Sequence, residues 1–318
     1  MTTASTINHS ATEFAIKKTL FSKNFDKHVF FSDVDLGYNL YKTLPNFHYE
    51  AVSLDKNFGL LDYAKWCVKD LNKYVKTDHV LIIQYDGFAT NPASWEDSFL
   101  EYDYIGSPTL NNYGPLRTAI EQMVNSKSTY PDERVSQIFN NSFLSKNFWW
   151  VGGGGFSLRS KKLLEALQDE EIQYDIVYDT PDEDGNCVTR RHTACEDISI
   201  CIVYKELLQE KYGIKFAPME VANRFASEML INSNSFGFHG FQNSPHFLTE
   251  EECMIFFSNF EKTGFLDDHE STWSLLGNSL IKFYPYFFGY LLNRCKSATS
   301  LKKIIRRTDL LTYRNTDD

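Results

Sequence analysis

Positive charge is what this sequence has too little of: 32 Lys and Arg stand against 42 Asp and Glu, for a net charge of −10. Nucleic-acid backbones are bound by Lys and Arg that displace counterions, so this balance excludes nucleic acid as the main partner. The six cysteines, Cys67, Cys187, Cys195, Cys201, Cys253 and Cys295, include no C-x-x-C pair, which leaves neither a zinc knuckle nor a thioredoxin-like motif. A chain of 318 residues needs no disulfide framework, so reduced, buried thiols and a cytoplasmic location are expected. No segment reaches the roughly 18 uninterrupted apolar residues of a membrane span. Met1 to Ser10 lacks the basic region and apolar run of a secretory signal. Internal repeats and low-complexity tracts are missing as well.

What is present in excess is aromatic: 26 Phe and 18 Tyr, within an apolar fraction of 42%. A Phe-rich core is the simpler reading, and stacking sites for sugars or bases the other. The length favours one large domain, taken as residues 1–248, with an extension over 249–318. In the first part, helical and strand patterns alternate. Thr12 to Ser22 and Leu60 to Val75 carry helical spacing, while His28–Ser32, Tyr49–Leu54 and His79–Gln84 read as strands. His79–Gln84 is apolar throughout, as a central strand covered on both faces should be. The expected fold is therefore α/β, a mixed, mainly parallel sheet flanked by helices, with a C-terminal helical extension. Residues 110–144 read as a long connection, Asp179–His192 as an acidic loop, and Cys195–Tyr212 as one helix.

Four places invite chemistry. Asp86 stands at the end of the central strand beside Gly87, where open sheets bind ligands and where a carboxylate can hold a divalent cation against a diphosphate; capping of a following turn or helix explains it equally well. The run Gly152–Gly155 reads as a loop anchored by Trp149, Trp150, Val151 and Phe156 that can cradle a phosphate or a sugar ring, although it matches neither a Walker loop nor the dinucleotide spacing. Glu196-Asp197 opens an apolar helix, where one carboxylate can serve as a general base or as a cap. Arg190-Arg191-His192 offers cations for phosphate, and His239 lies between glycines and aromatics in Phe236-Gly237-Phe238-His239-Gly240-Phe241.

Taken in order, the strings Leu81 to Phe88, Trp95 to Pro108, Val151 to Ser160, Glu196-Asp197, Phe216-Ala217-Pro218 with Ala222 and Phe225, and Phe236 to His239 resemble a bacterial family of glycosyltransferase-like domains related to nucleotide-sugar transferases of the GT-A fold. The likeness spans about residues 12 to 243. It implies a GT-A-like, Rossmann-like sheet and transfer of a sugar from a nucleotide-sugar donor, a UDP-sugar first. The acceptor would be a hydroxyl of a glycan or lipid-linked molecule in surface polysaccharide synthesis. By the same resemblance Gln84-Tyr85-Asp86 occupies the place of an Asp-x-Asp motif with only its last Asp retained. A Mn or Mg ion would then be held by Asp86 and His239. Gly153, Gly154 and Gly155 would face donor and acceptor, and Gln84 with Arg159 or Arg191 would meet the diphosphate. Asn8 with Ser32 and Asp33 would border base and ribose, and the base would be Asp197 or Glu196, with Asp197 preferred.

Two other functions fit the residues: a non-catalytic carbohydrate- or nucleotide-binding protein that kept the fold, and a sugar nucleotidyltransferase, although no Gly-rich basic signature occurs before Lys42. A metal-dependent hydrolase has too few clustered His residues. The extension is basic and aromatic; Thr272 to Arg307 contains no Asp or Glu but seven Lys and Arg. Residues 272–307 are expected to dock on the inner face of the cytoplasmic membrane, to form a homodimer interface, or to pack as a helix over the catalytic domain.

Overall fold

A computed structural model describes residues 1–43, 47–110, 149–174, 176–181, 187–192 and 196–259. The expectations for 110–144 and 272–307 fall outside them, apart from Leu110 itself. Strands β1 (Thr2–Ser5), β2 (Val29–Ser32), β3 (Glu50–Ser53), β4 (His79–Ile82), β6 (Tyr104–Leu110) and β7 (Trp149–Ser160) form one sheet in the order β3-β2-β1-β4-β7-β6. The first four run parallel, and β7 is antiparallel to both its neighbours, so five of the six strands point the same way.

Helices link and cover these strands: α1 (His9–Ser22) after β1, α2 (Tyr38–Thr43) after β2, and α3 (Leu60–Lys65) after β3. The last runs on as a wider π turn over Trp66–Asp70 and a tight turn to Lys73. The sheet is apolar on both faces because its residues alternate between two cores. Phe31, Val80 and Ile82 pack with Trp66, Cys67 and Leu71 on one side. Phe30, Leu81 and Ile83 pack with Ile16, Phe156 and Leu158 on the other. Nine phenylalanines are among the largest fully buried side chains, so the aromatic excess is spent on the core.

A second small sheet, β10 (Ala226–Ser227), β11 (Gly237–His239) and β5 (Gly87–Ala89), lies against α1 and α8 (Glu250–Ser258). Phe14 of α1 meets Phe256 of α8 at 5.7 Å between ring centroids, and Lys18 pairs with Glu252 at 2.6 Å. Thr249 and Glu252 close a reciprocal capping box at the start of α8, which fixes where it begins. The segment just past 248 is thus packed into the core.

Three expectations are corrected. The glycine run is not a loop: Gly152–Gly155 lies inside the 12-residue strand β7, held between β4 and β6. Within the stretch read as an acidic loop, the described residues form two strands, β8 (Ile176–Pro181) and β9 (Cys187–His192), paired antiparallel. Cys195–Tyr212 is broken: α5 (Glu196–Ile198) passes into a π turn over Ser199–Val203, and α6 (Lys205–Tyr212) follows after Tyr204. Gly213 ends α6 with a φ of 60°, a conformation open to glycine, before a single parallel bridge joins Phe216 to Tyr104. Helices α4 (Lys161–Ala166) and α7 (Met219–Phe225) complete the layers.

Candidate functional site

The carboxyl ends of β1, β2 and β4 emerge along one edge of the sheet, and the reversed strand β7 carries its N-terminal half beyond that edge. Its Ser157 pairs with Ile82, the last residue of β4, so Gly152–Gly155 lies just past the strand ends. Ligands of open α/β sheets bind there.

Beyond β4 the chain reverses at once. Gln84 and Gly87 exchange backbone hydrogen bonds of 2.9 and 3.1 Å, which puts Tyr85-Asp86 at the tip of a tight turn into β5. No helix follows for Asp86 to cap. Its carboxylate is buried, its Oδ1 has no hydrogen-bond partner, and that oxygen lies 3.9 Å from His239 Nε2. Burial raises the Asp86 pKa, against the pull of the His239 charge.

His239, at the end of β11, is held from behind. Its Nδ1 lies 3.1 Å from Glu228 Oε1, and the other oxygen of Glu228 accepts hydrogen bonds from Ser107 Oγ and, at 3.4 Å, from Thr109 Oγ1. Burial opposes charge on His239, yet Glu228 and Asp86 outweigh it and lift its pKa to about 10. The imidazole is therefore a cation at neutral pH.

The helix turn at α5 supplies the third group. Asp197 Oδ2 accepts the backbone N–H of Gly154 at 3.2 Å, and its Oδ1 accepts that of Ile198 at 2.8 Å. Burial, then the charges of Glu196 and Glu228, raise its pKa to about 7. Glu196 takes a different part. Its Oε1 binds Arg159 Nη2 at 2.8 Å, and Arg159, fully buried, also donates from Nε to Ser157 Oγ at 3.1 Å.

These placements explain the glycines, and differently from expectation. A Cβ on Gly153 would overlap Ser107 Oγ and Glu228 Oε2, one on Gly154 would overlap Glu196 Oε1, and one on Gly155 would overlap His239 Nε2 and press on Gln84 Oε1. The bare strand makes room for the protein's own acids, imidazole and amide. Gly153, Gly154 and Gly155 are thus covered by side chains and do not cradle a phosphate or sugar. Arg159 is corrected likewise: buried against Glu196, its guanidinium props the carboxylate pair and does not face a diphosphate. Arg191 lies in the backbone of β9, and its side chain falls outside the described residues.

At the other end of the edge, Asn8 follows β1 in the left-handed conformation, φ 52° and ψ 45°, and starts α1 with its carbonyl bonded to Thr12. It is the one described non-glycine residue with positive φ. Asp33 meets His9 Nε2 at 2.8 Å, and Ser32 Oγ accepts the Val34 N–H at 3.2 Å. The structure gathers Gln84, Asp86, Glu196, Asp197 and His239 around β7, while Asn8, Ser32 and Asp33 cluster separately after β1 and β2.

Glu228 was not foreseen. It stands alone in Ala226-Ser227-Glu228-Met229 with no motif around it, and its one signal is a carboxylate amid apolar neighbours. Among the described residues no group of three or more His, Cys, Asp and Glu is arranged to hold a metal ion. Asp86 and His239 are the pair that could contribute ligands to a divalent ion: Asp86 Oδ1, which has no hydrogen-bond partner, lies 3.9 Å from His239 Nε2. Ions that keep water and substrate oxygens need no more than one or two protein ligands. Such an ion would displace the proton at Nε2.

The arrangement defines an α/β protein with an acidic, imidazole-bearing site at the carboxyl edge of its sheet. The chain belongs to a family described as proteins of unknown function (DUF5672), matched over residues 62–239, which run from α3 to His239 and include Asp86, Asp197 and Glu228. Comparison with curated proteins and with solved structures gives no match. No helix among the described residues is long and apolar enough to cross a membrane.

Proposed function

We propose that this chain is a glycosyltransferase that moves a sugar from a nucleotide-sugar donor to an acceptor hydroxyl. The observation that carries this reading is the convergence of Asp86, His239 and Asp197 on β7 beyond the strand ends. A strand order with one antiparallel strand beside β4 also accords with a GT-A-like sheet.

Asp197 is the base. A pKa of about 7 leaves it able to accept a proton at neutral pH and strong enough to do so. It keeps part of its surface exposed, and two backbone N–H groups fix its direction. As the acceptor oxygen bonds to the anomeric carbon, its proton passes to Asp197 and the bond from that carbon to the diphosphate breaks, leaving a nucleoside diphosphate. A Mn or Mg ion bound by Asp86 and His239 would supply positive charge for that leaving group, where electrostatic stabilisation matters most. The cluster of Asn8, Ser32 and Asp33 holds the nucleoside. The donor is a UDP-sugar first, and the acceptor a glycan or lipid-linked hydroxyl.

The test is a thermal-shift series with UDP-, GDP-, CMP- and TDP-sugars, with and without Mn, followed by assay of donor hydrolysis. A shift with one nucleotide that grows with Mn, and hydrolysis lost in Asp197→Asn, is expected. Binding without hydrolysis would favour a carbohydrate- or nucleotide-binding protein instead, and no shift with any sugar nucleotide would reject the proposal.

A further inference from the structure

We infer that Glu228 is a positioning residue that sets the His239 imidazole so that Nε2 faces Asp86 and a divalent cation between them. The inference rests on the reading of Asp86 and His239 as a cation pair.

Glu228 is in contact on two sides. One carboxylate oxygen of Glu228 lies 3.1 Å from His239 Nδ1, and the other is tied to Ser107 Oγ, whose residue is fully buried in β6. Thr109 Oγ1 adds a second hydroxyl at 3.4 Å. The backbone is fixed as well: the amide of Asn243 donates to the carbonyls of both Glu228, at 3.0 Å, and His239, at 2.7 Å. Gly153 leaves the space the carboxylate occupies. An imidazole has two nitrogens, and a carboxylate at Nδ1 keeps a proton there, so the proton that a bound cation displaces is the one at Nε2. Metal-binding histidines commonly have such a partner, and its loss weakens metal affinity by about 10- to 100-fold. Both oxygens of Glu228 are engaged, one at Ser107 and one beside His239 Nδ1, so it orients and does not ligate.

The experiment is a Mn titration of the whole chain, free Mn being read by electron paramagnetic resonance, with no nucleotide sugar present. Glu228→Ala should weaken Mn binding about 10- to 100-fold, and His239→Ala at least as much. Glu228→Gln, whose amide oxygen can still accept from Nδ1–H, should recover most of the loss, a rescue that a merely structural role would not give. Ser107→Ala, which releases one side of Glu228 without touching the imidazole, should show a smaller loss and serves should Glu228→Ala fail to fold. Mn affinity in Glu228→Ala equal to that of the parent chain would overturn the inference, as would a parent chain that binds no Mn. Because donor is absent, weakened Mn binding in the variant together with no response to sugar nucleotides would overturn the proposed transferase and leave the positioning role standing.

Discussion

Gly154→Ala probes the reasoning about the bare strand most directly. A Cβ there would overlap Glu196 Oε1 and come within 3.3 Å of Asp197 Cβ. A flexible carboxylate could swing aside, but this one is buried and bound to Arg159 at 2.8 Å, with Arg159 itself fully buried. Moving it leaves a guanidinium without its counter-charge, a loss of about 3–5 kcal/mol for buried pairs. Overpacking alone costs about 1–3 kcal/mol. Both penalties concern the same carboxylate and overlap, so about 3–5 kcal/mol is expected, or a fall in Tm of roughly 6–20 °C at 2–4 °C per kcal/mol. The control is Gly59→Ala, an exposed site where a Cβ would meet nothing nearer than 3.8 Å. As the N-cap of α3 it should lose no more than about 1 kcal/mol. Differential scanning calorimetry of the two variants gives the comparison. If Gly154→Ala melted within about 2 °C of the parent chain, Glu196 would not be locked and the account of the glycine strand would be wrong.

Asp197→Asn should abolish turnover, and activity of the parent should rise with pH through about 7, as a base of that pKa requires. The folded pKa lies above the ordinary aspartate value of 3.8, so the native state binds the extra proton; stability falls as pH rises from about 4 to 7, and Asp197→Asn should melt higher than the parent at pH 8 but not at pH 4. Gly213→Ala forces a side chain into φ 60° and should cost about 1–2 kcal/mol, seen as a lower Tm with ligand response unchanged. Thr249→Ala removes one half of the α8 capping box and should cost about 1 kcal/mol in urea unfolding, whereas Phe256→Ala, cut from the contact with Phe14 and Phe88, should cost about 3–5 kcal/mol.

Much of the sheet was legible because its residues alternate between two apolar cores. His79–Gln84 carries Val80 and Ile82 to one face and Leu81 and Ile83 to the other, a pattern only a doubly covered strand satisfies. The same logic failed at Gly152–Gly155. Glycine has no side chain to report a face, and its strand propensity is poor, so local rules read a loop. What makes it strand is tertiary: ladders to β4 and β6 on both sides, and Phe156 stacked on Phe225 at 5.1 Å. Glu228 was hidden for a related reason, since its role comes from Ser107, which is 121 residues away in sequence.

The sequence leaves Glu196 and Asp197 as rival bases, and the structure separates them by their partners. Both stand in the first turn of α5, but adjacent residues on a helix point about 100° apart. Glu196 turns inward to Arg159, where a buried cation compensates its charge. Asp197 meets no cation at hydrogen-bonding distance among the described contacts; it has two backbone N–H groups and two acidic neighbours, and its pKa rises to about 7. A compensated carboxylate is a poor base because giving up its ion pair costs more than the proton returns. An uncompensated one is already part-way to protonation. In the proposed transferase Glu196 would act at one remove: Arg159 fixes its place, its charge beside Asp197 adds to burial in raising the affinity of Asp197 for a proton, and the third glycine of the run is the space in which that carboxylate sits.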